Sequence, residues 1–236
     1  MTEELFWLDS YLSCCDARVV SADSTGIELD RTVFYATGGG QPGDKGILRL
    51  KDGREIDIYG CQKDRDSGKH IHIPAEGAVL PAVGESVIAE IDWARRHKLM
   101  RMHSCLHLLC AIVDGGVTGG QVGEEKSRLD FDLENTSLDR EALTDRLNRL
   151  IIDNHAVKIS SIRDAELAAN PDLVRTMSVQ PPTGASKVRL ISIGSVDLQP
   201  CGGTHVQATG EIGPVRVGKI ENKGKHNRRI NVHLET

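Results

Sequence analysis

The chain changes character at Asp92, and that change constrains its fold more than any other feature. Up to about residue 90 the sequence reads as short alternating segments separated by turn residues. ARVVSADSTGIELDRTVF is two such segments joined by a polar turn ending in Gly26, and GDKGILRLKDGREIDIYG repeats the pattern around Asp52-Gly53, a hairpin signal. Many short strands without a helical period predict a small β-barrel. Asp92 is placed to cap a helix beginning at Trp93. Leu99, Met102, Leu106, Leu109, Cys110 and Val113 then recur at steps of three and four, an amphipathic helix expected to stop at Gly115-Gly116.

Beyond the helix the pattern is mixed. SRLDFDLE alternates as a strand, and Ser137 can cap a helix with a stripe of Leu143, Leu147, Leu150 and Ile151. RDAELAAN reads as a short helix stopped before Pro171, and SKVRLISIG, GPVRVGKIE and RRINVHLE read as three closing strands. There is no regular βαβ alternation, so this half is expected to be α+β. The expected division is a barrel domain over 1–90 and an α+β domain over 91–236. At 236 residues either half can bury a core without disulfides.

Composition removes several function classes. The longest apolar run, Leu108 to Val113, is far short of the ~18 residues of a membrane span. The acidic start MTEELFWLDS lacks the pattern of an export signal, so a reducing cytoplasm is expected. Of the six cysteines, Cys14, Cys15, Cys61, Cys105 and Cys110 read as small apolar packing residues. Aromatics at 3% argue against large base-stacking platforms, and a net charge of −5 argues against a chain-wide nucleic-acid glove.

Basic charge is nevertheless concentrated. Six Lys/Arg against one acid lie between Arg216 and Arg229, including Lys223, Lys225, Arg228 and Arg229 in KGKHNRR. This is either a phosphate-binding face or a solvated hairpin tip. A glycine loop, FYATGGGQPGDKG, formally matches a dinucleotide fingerprint, but Pro42 and the strand-like ILRL that follows exclude the helix that motif needs. It fails as a phosphate P-loop because Asp44 stands where Lys is required. It is left as a turn between strands or as a backbone that approaches a ligand closely.

Four residues suggest a metal. His103 and His107 are one helical turn apart, and PCGGTH offers Cys201 and His205 around two glycines. One sulfur and three nitrogens suit tetrahedral zinc, which these residues favour over a satisfied core histidine pair with an inert cysteine. Ser104 occupies the position where a helical metalloprotease motif carries Glu, which excludes a peptidase of that type.

RMHSCLHLL, GEEKSRLDFD, QPCGGTHVQATGEIG and KGKHNRRI, in that order, resemble the signature blocks of the alanyl-tRNA editing domain, found within alanyl-tRNA synthetases and in freestanding AlaX-type proteins. GGGQPGDKG resembles the glycine-rich motif of the medium-sized freestanding group, where it belongs to a barrel like domain II of elongation factors. The resemblance implies an α+β editing domain of the threonyl/alanyl-tRNA synthetase type behind that barrel. It implies one zinc held by His103, His107, Cys201 and His205, and mischarged tRNA(Ala) as substrate, with no partner protein evident. Gln121 matches an editing glutamine of the synthetase domain, with a shorter spacer to SRLDF.

The implied activity is hydrolysis of mischarged tRNA(Ala), chiefly seryl-tRNA(Ala) with glycyl-tRNA(Ala) as a second candidate, sparing alanyl-tRNA(Ala). Thr37, Gln41, Ser104 and Gln121 are candidates to bind the serine hydroxyl, with the Gly38, Gly39 and Gly40 backbone close to the aminoacyl end. A tRNA-binding module without turnover and a zinc hydrolase of small esters or amides remain as alternatives.

Overall fold

A computed structural model describes residues 1–133, 138–170, 174 and 187–235. The chain divides into two compact units, Met1–His97 and Lys98–Thr236. The division falls inside the long helix rather than near residue 90.

The first unit is a closed six-stranded barrel. β1 (Glu3–Glu4) and β4 (Arg31–Thr32) form a small parallel pair. The barrel is built from β2 (Cys14–Asp23), β3 (Gly26–Leu29), β5 (Gly46–Leu50), β6 (Glu55–Lys63), β7 (His70–Pro74) and β8 (Ser86–Ile91), closing in the order β2-β3-β7-β6-β5-β8. Closure leaves no edge strand. Val19, Ile27, Leu29, Phe34, Leu48, Ile58, Val87 and Ala89 fill its interior. Gly53 turns the β5–β6 hairpin at φ +88°, as the Asp-Gly pair predicts.

The glycine loop adopts a tight turn. Gly38 and Gln41 exchange backbone hydrogen bonds of 3.1 and 2.9 Å, and Gly39 and Gly40 between them have φ of +56° and +81°. Both central residues lie in the left-handed region, which is why glycine occupies them. Gly43 has a different reason: a Cβ there would stand 2.2 Å from the Cys61 carbonyl oxygen.

The helix α1 spans Trp93–Ile112. Asp92 caps it, accepting from the Arg95 N–H at 3.0 Å. It stops at Ile112, before the two glycines, and Gly116 already begins a strand. The expected one-sided stripe is too narrow a description. Every residue from Met102 to Cys110 is buried, because the positions between the periodic residues are also small or apolar, as at Ser104, Cys105 and Leu108.

The second unit has two antiparallel sheets. β9 (Gly116–Gln121), β10 (Lys126–Asp132), β14 (Val215–Asn222) and β15 (Asn227–Leu234) form one, ordered β14-β15-β10-β9. β11 (Val157–Ile162), β12 (Val188–Ile193) and β13 (Asp197–Pro200) form the other. α2 (Arg140–Ile152) buries Leu143, Leu147 and Ile151, with Leu150 only half-buried. Its cap is Asp139, which accepts from the N–H groups of Glu141 and Ala142; Ser137 lies outside the described residues. Asn148 and Thr144 of α2 hydrogen-bond the backbone of Val215 and Val217, covering part of the exposed side of β14. α3 (Asp164–Ala168) is the short helix expected from RDAELAAN. All six cysteines are free; Cys61, Cys105 and Cys110 are buried, but Cys14 is exposed and does not pack as expected.

Candidate metal centre

One turn of α1 sets the His103 and His107 rings 5.4 Å apart. The segment after β13 brings His205 to 4.4 Å from the His103 ring and 4.6 Å from the His107 ring. Cys201 Sγ lies 3.5 Å from His103 Nε2 and 3.3 Å from His205 Nε2. One ligand atom from each of the four residues lies within 4.8 Å of all the others. Four converging donors of this chemistry could together hold one metal ion.

A second layer of residues fixes this arrangement. Arg189 of β12 donates to the carbonyls of Cys201 and Gly203, both at 2.8 Å, and so braces the loop that carries the thiol. His107 Nδ1 donates to Asp197 Oδ2 at 2.8 Å, leaving Nε2 for the centre, and Gln199 Nε2 donates to the same carboxylate oxygen at 2.9 Å. His205 Nδ1 is 3.1 Å from Ser104 Oγ, which also accepts from the Val206 N–H. Metal-ligating histidines are commonly oriented in this way.

Burial opposes charge on His107, but the hydrogen bonds to Asp197 and Cys201 outweigh it and raise its pKa to about 9. Burial also works against a Cys201 thiolate, yet His103 and His205 hold its pKa well below that of an ordinary thiol. A thiolate is the form that ligates metals.

A family model described as "Threonyl and Alanyl tRNA synthetase second additional domain" matches residues 188–231, and one described as "tRNA synthetases class II (A)" matches residues 13–95. The chain is 36% identical to an alanyl-tRNA editing protein AlaX-M of Methanosarcina acetivorans, covering 98% of each. It is 34% identical to the AlaX-M protein of Saccharolobus solfataricus, again over 98% of each. An alanine–tRNA ligase of Saccharolobus islandicus is 32% identical over 93% of this chain but only 25% of its own length. The chain belongs to the alanyl-tRNA editing protein family.

In this member of the editing family, Asp197, Gln199 and Arg189 carry no sequence motif of their own. A signal for two of them existed: Asp197, Gln199 and Cys201 are spaced by two, so an extended backbone aims all three to one side. Replacing Asp197 with Asn should weaken metal affinity by about 10–100-fold without unfolding the chain. Competition with a chromophoric chelator measures this, and unchanged affinity would remove Asp197 from the centre.

The other sequence candidates are distributed differently. Ser104 is fully buried, and its hydroxyl is occupied by His205 and Val206. Gln121 is an exposed residue at the end of β9, paired in register with Arg128. Thr37, Gly38, Gly39, Gly40 and Gln41 belong to the barrel unit. The Thr37 hydroxyl donates to the Cys61 carbonyl and accepts from the Gly43 N–H, while Gln41 is buried.

The basic segment forms the β14–β15 hairpin. Arg229 is paired with Asp130 through contacts of 2.7 and 2.8 Å, and Arg228 is nearly buried and donates to the carbonyls of Gly224 and Asn227. These two arginines therefore hold the hairpin, which their sequence alone does not reveal. Lys223 and Lys225 are exposed at its tip, Lys223 beside Glu221. Among the described residues no helix is long and apolar enough to cross a membrane.

Proposed function

We propose that this chain is a zinc-dependent editing deacylase that hydrolyses tRNA(Ala) carrying the wrong amino acid. Serine is the chief substrate and glycine a second, while alanyl-tRNA(Ala) is spared. The observation that carries this reading is the convergence of His103, His107, Cys201 and His205, in a chain that aligns end to end with proteins named for alanyl-tRNA editing.

The donor set of one thiolate and three imidazoles, backed by a carboxylate–histidine pair, fits zinc. Bound there, zinc would supply Lewis acidity toward the ester carbonyl or a lowered pKa for water. The chain's own residues do the positioning. Asp197 holds the His107 tautomer, Ser104 sets the His205 ring, and Arg189 holds the Cys201 loop. Water is added across the ester between amino acid and terminal ribose, releasing the free amino acid and restoring the ribose hydroxyl. No carboxylate stands between the two helix histidines to act as general base, so the neighbouring ribose hydroxyl is assigned to assist a positioned water.

Discrimination requires a group that hydrogen-bonds the serine hydroxyl. An apolar pocket separates such pairs by only ~10², whereas a site built to bind the hydroxyl rejects the analogue lacking it by ~10⁴ or more. Gln121 is the proposed contact and the Gly38–Gly40 turn the proposed cover, while Thr37 and Gln41 are set aside because the Thr37 hydroxyl is engaged by Cys61 and Gly43 and Gln41 is buried. Ser104 is proposed to orient a ligand instead, because its hydroxyl is already engaged.

Hydrolysis rates on seryl-, glycyl- and alanyl-tRNA(Ala), and on a free seryl ester, test the reading. Seryl-tRNA(Ala) should be cut about 10⁴-fold faster than alanyl-tRNA(Ala). Equal rates would reject editing, equal activity on the free ester would indicate a small-ester hydrolase, and no turnover would indicate a binding module.

The tRNA contact is proposed to lie at the tip of the β14–β15 hairpin. Replacing Lys223 and Lys225 with alanine should weaken tRNA binding and lower its salt slope by about one unit per lost phosphate contact. An unchanged slope would make the hairpin a solvated tip. Arg229 is a poorer probe, since its removal also takes from Asp130 one of the two arginines paired with it.

A further inference from the structure

A second cluster of metal-ligating side chains lies in the barrel unit. Cys61 on β6 stands directly opposite His72 on β7, and His70 precedes His72 by two residues on the same strand. One ligand atom from each of the three lies within 4.8 Å of the other two, and all three residues are buried.

The hydrogen bonds around the cluster leave donor atoms available to an ion. His72 Nδ1 donates to the Ile27 carbonyl at 2.9 Å, so its Nε2 carries the lone pair and faces the Thr32 hydroxyl at 2.8 Å. Thr32 Oγ1 in turn accepts from the Phe34 N–H. His70 Nδ1 contacts Glu4 Oε1 at 3.0 Å, the carboxylate–histidine arrangement that orients metal ligands. His70 Nε2 is buried and has no hydrogen-bond partner among the described residues. A buried polar nitrogen left in that state requires a reason.

We propose that Cys61, His70 and His72 form a second metal site, for a thiophilic d¹⁰ ion, zinc(II) or copper(I). One soft thiolate and two imidazoles are the donors such ions take. The ion displaces the Cys61 thiol proton to solvent as the metal–sulfur bond forms. His72 Nε2 gives up the Thr32 hydroxyl, and His70 Nε2 gains a partner. With zinc(II), the thiolate offsets one of its two charges, and the Glu4 carboxylate behind His70 is a further anion. Phe34, with its ring 5.1 Å from that of His72, contributes an apolar wall, which favours an ion content with few ligands. Behind His70, Glu4 also pairs with the half-exposed Lys63 at 3.0 Å.

The test loads the full chain anaerobically with cobalt(II), as a spectroscopic substitute for zinc, and separately with copper(I). Two equivalents of at least one of these metals should bind tightly to the unaltered protein; a single equivalent of each would overturn the proposal. In the C201S chain the other centre has lost its thiolate, so a remaining sulfur-to-cobalt charge-transfer band, or a copper–thiolate absorption, marks Cys61. Absence of both in a folded C201S chain overturns the proposal. The signal should vanish on adding Cys61→Ala and should need at least 10-fold more metal with His70→Gln. A signal that survives Cys61→Ala overturns it too, by assigning the metal to the thiols at Cys14 and Cys15. The cobalt and copper arms separate the two ions. Because the readout is the barrel thiol, failure here leaves the editing reading untouched.

Discussion

Cys201→Ala should strip the chain of tightly held zinc and abolish hydrolysis of seryl-tRNA(Ala). The loss should exceed the ~10–100-fold expected for an outer partner such as Asp197, because it removes the only thiolate of the centre rather than a group that orients a ligand. His103, His107 and His205 remain as three imidazoles, so weak binding should persist at neutral pH. It should fail first as pH falls and the histidines protonate. Metal analysis of the freshly purified variant, alongside deacylation rates and a circular dichroism check of folding, decides the matter. Unaltered protein that keeps full activity in excess chelator would defeat both this prediction and the zinc-dependent reading. His205 is held in part by Ser104, so Ser104→Ala should reproduce a milder form of the same defect.

Arg96→Leu should destabilise the barrel unit by about 3–5 kcal/mol, a large fraction of what a domain of this size possesses. Arg96 is completely buried. Its guanidinium donates to both carboxylate oxygens of Asp44, to the Ser10 carbonyl at 2.9 Å and to the Val33 carbonyl at 2.7 Å. Asp44 is buried as well and also accepts from the Tyr35 N–H. Removing one partner strands the other charge away from water, which costs more than the pair itself contributes. Arg96→Leu combined with Asp44→Asn should therefore lose less than the sum of the two single changes. Urea unfolding of the four proteins of this cycle measures the coupling. Additive losses would mean that the pair is not an isolated buried charge couple. The interaction also explains Asp44, which excludes the glycine loop from the P-loop class: it is the anchor of that loop, tying it to the first turn of α1.

Much of this protein is determined by local sequence. Strand and helix periods are properties of the backbone, so the switch from alternation to steps of three and four marks the start of α1 correctly at Asp92. The left-handed turns at Gly39, Gly40 and Gly53 follow from glycine's lack of a Cβ. The pairs His103/His107 and Cys201/His205 are each set by short spacing. Their meeting is not local: it depends on how the β13 strand returns to α1, and no spacing across the intervening chain encodes that.

The same physical reason accounts for what was illegible. β9 carries no strand pattern because three of its six residues are glycine, and β11 none because most of its side chains are exposed; both are strands through the hydrogen bonds of neighbouring strands. The cap of α2 is Asp139, a residue the sequence pattern does not single out. Nothing in WARRHK marks Arg96 for burial, and Arg228 and Arg229 are candidate phosphate ligands in sequence, until tertiary partners bury or pair them. A side chain's chemical type is written in the sequence, but its dielectric surroundings and its partners are assembled from distant residues. Those surroundings, rather than residue type, decide whether a histidine at 107 ligates with Asp197 behind it and whether an arginine at 96 holds a barrel together.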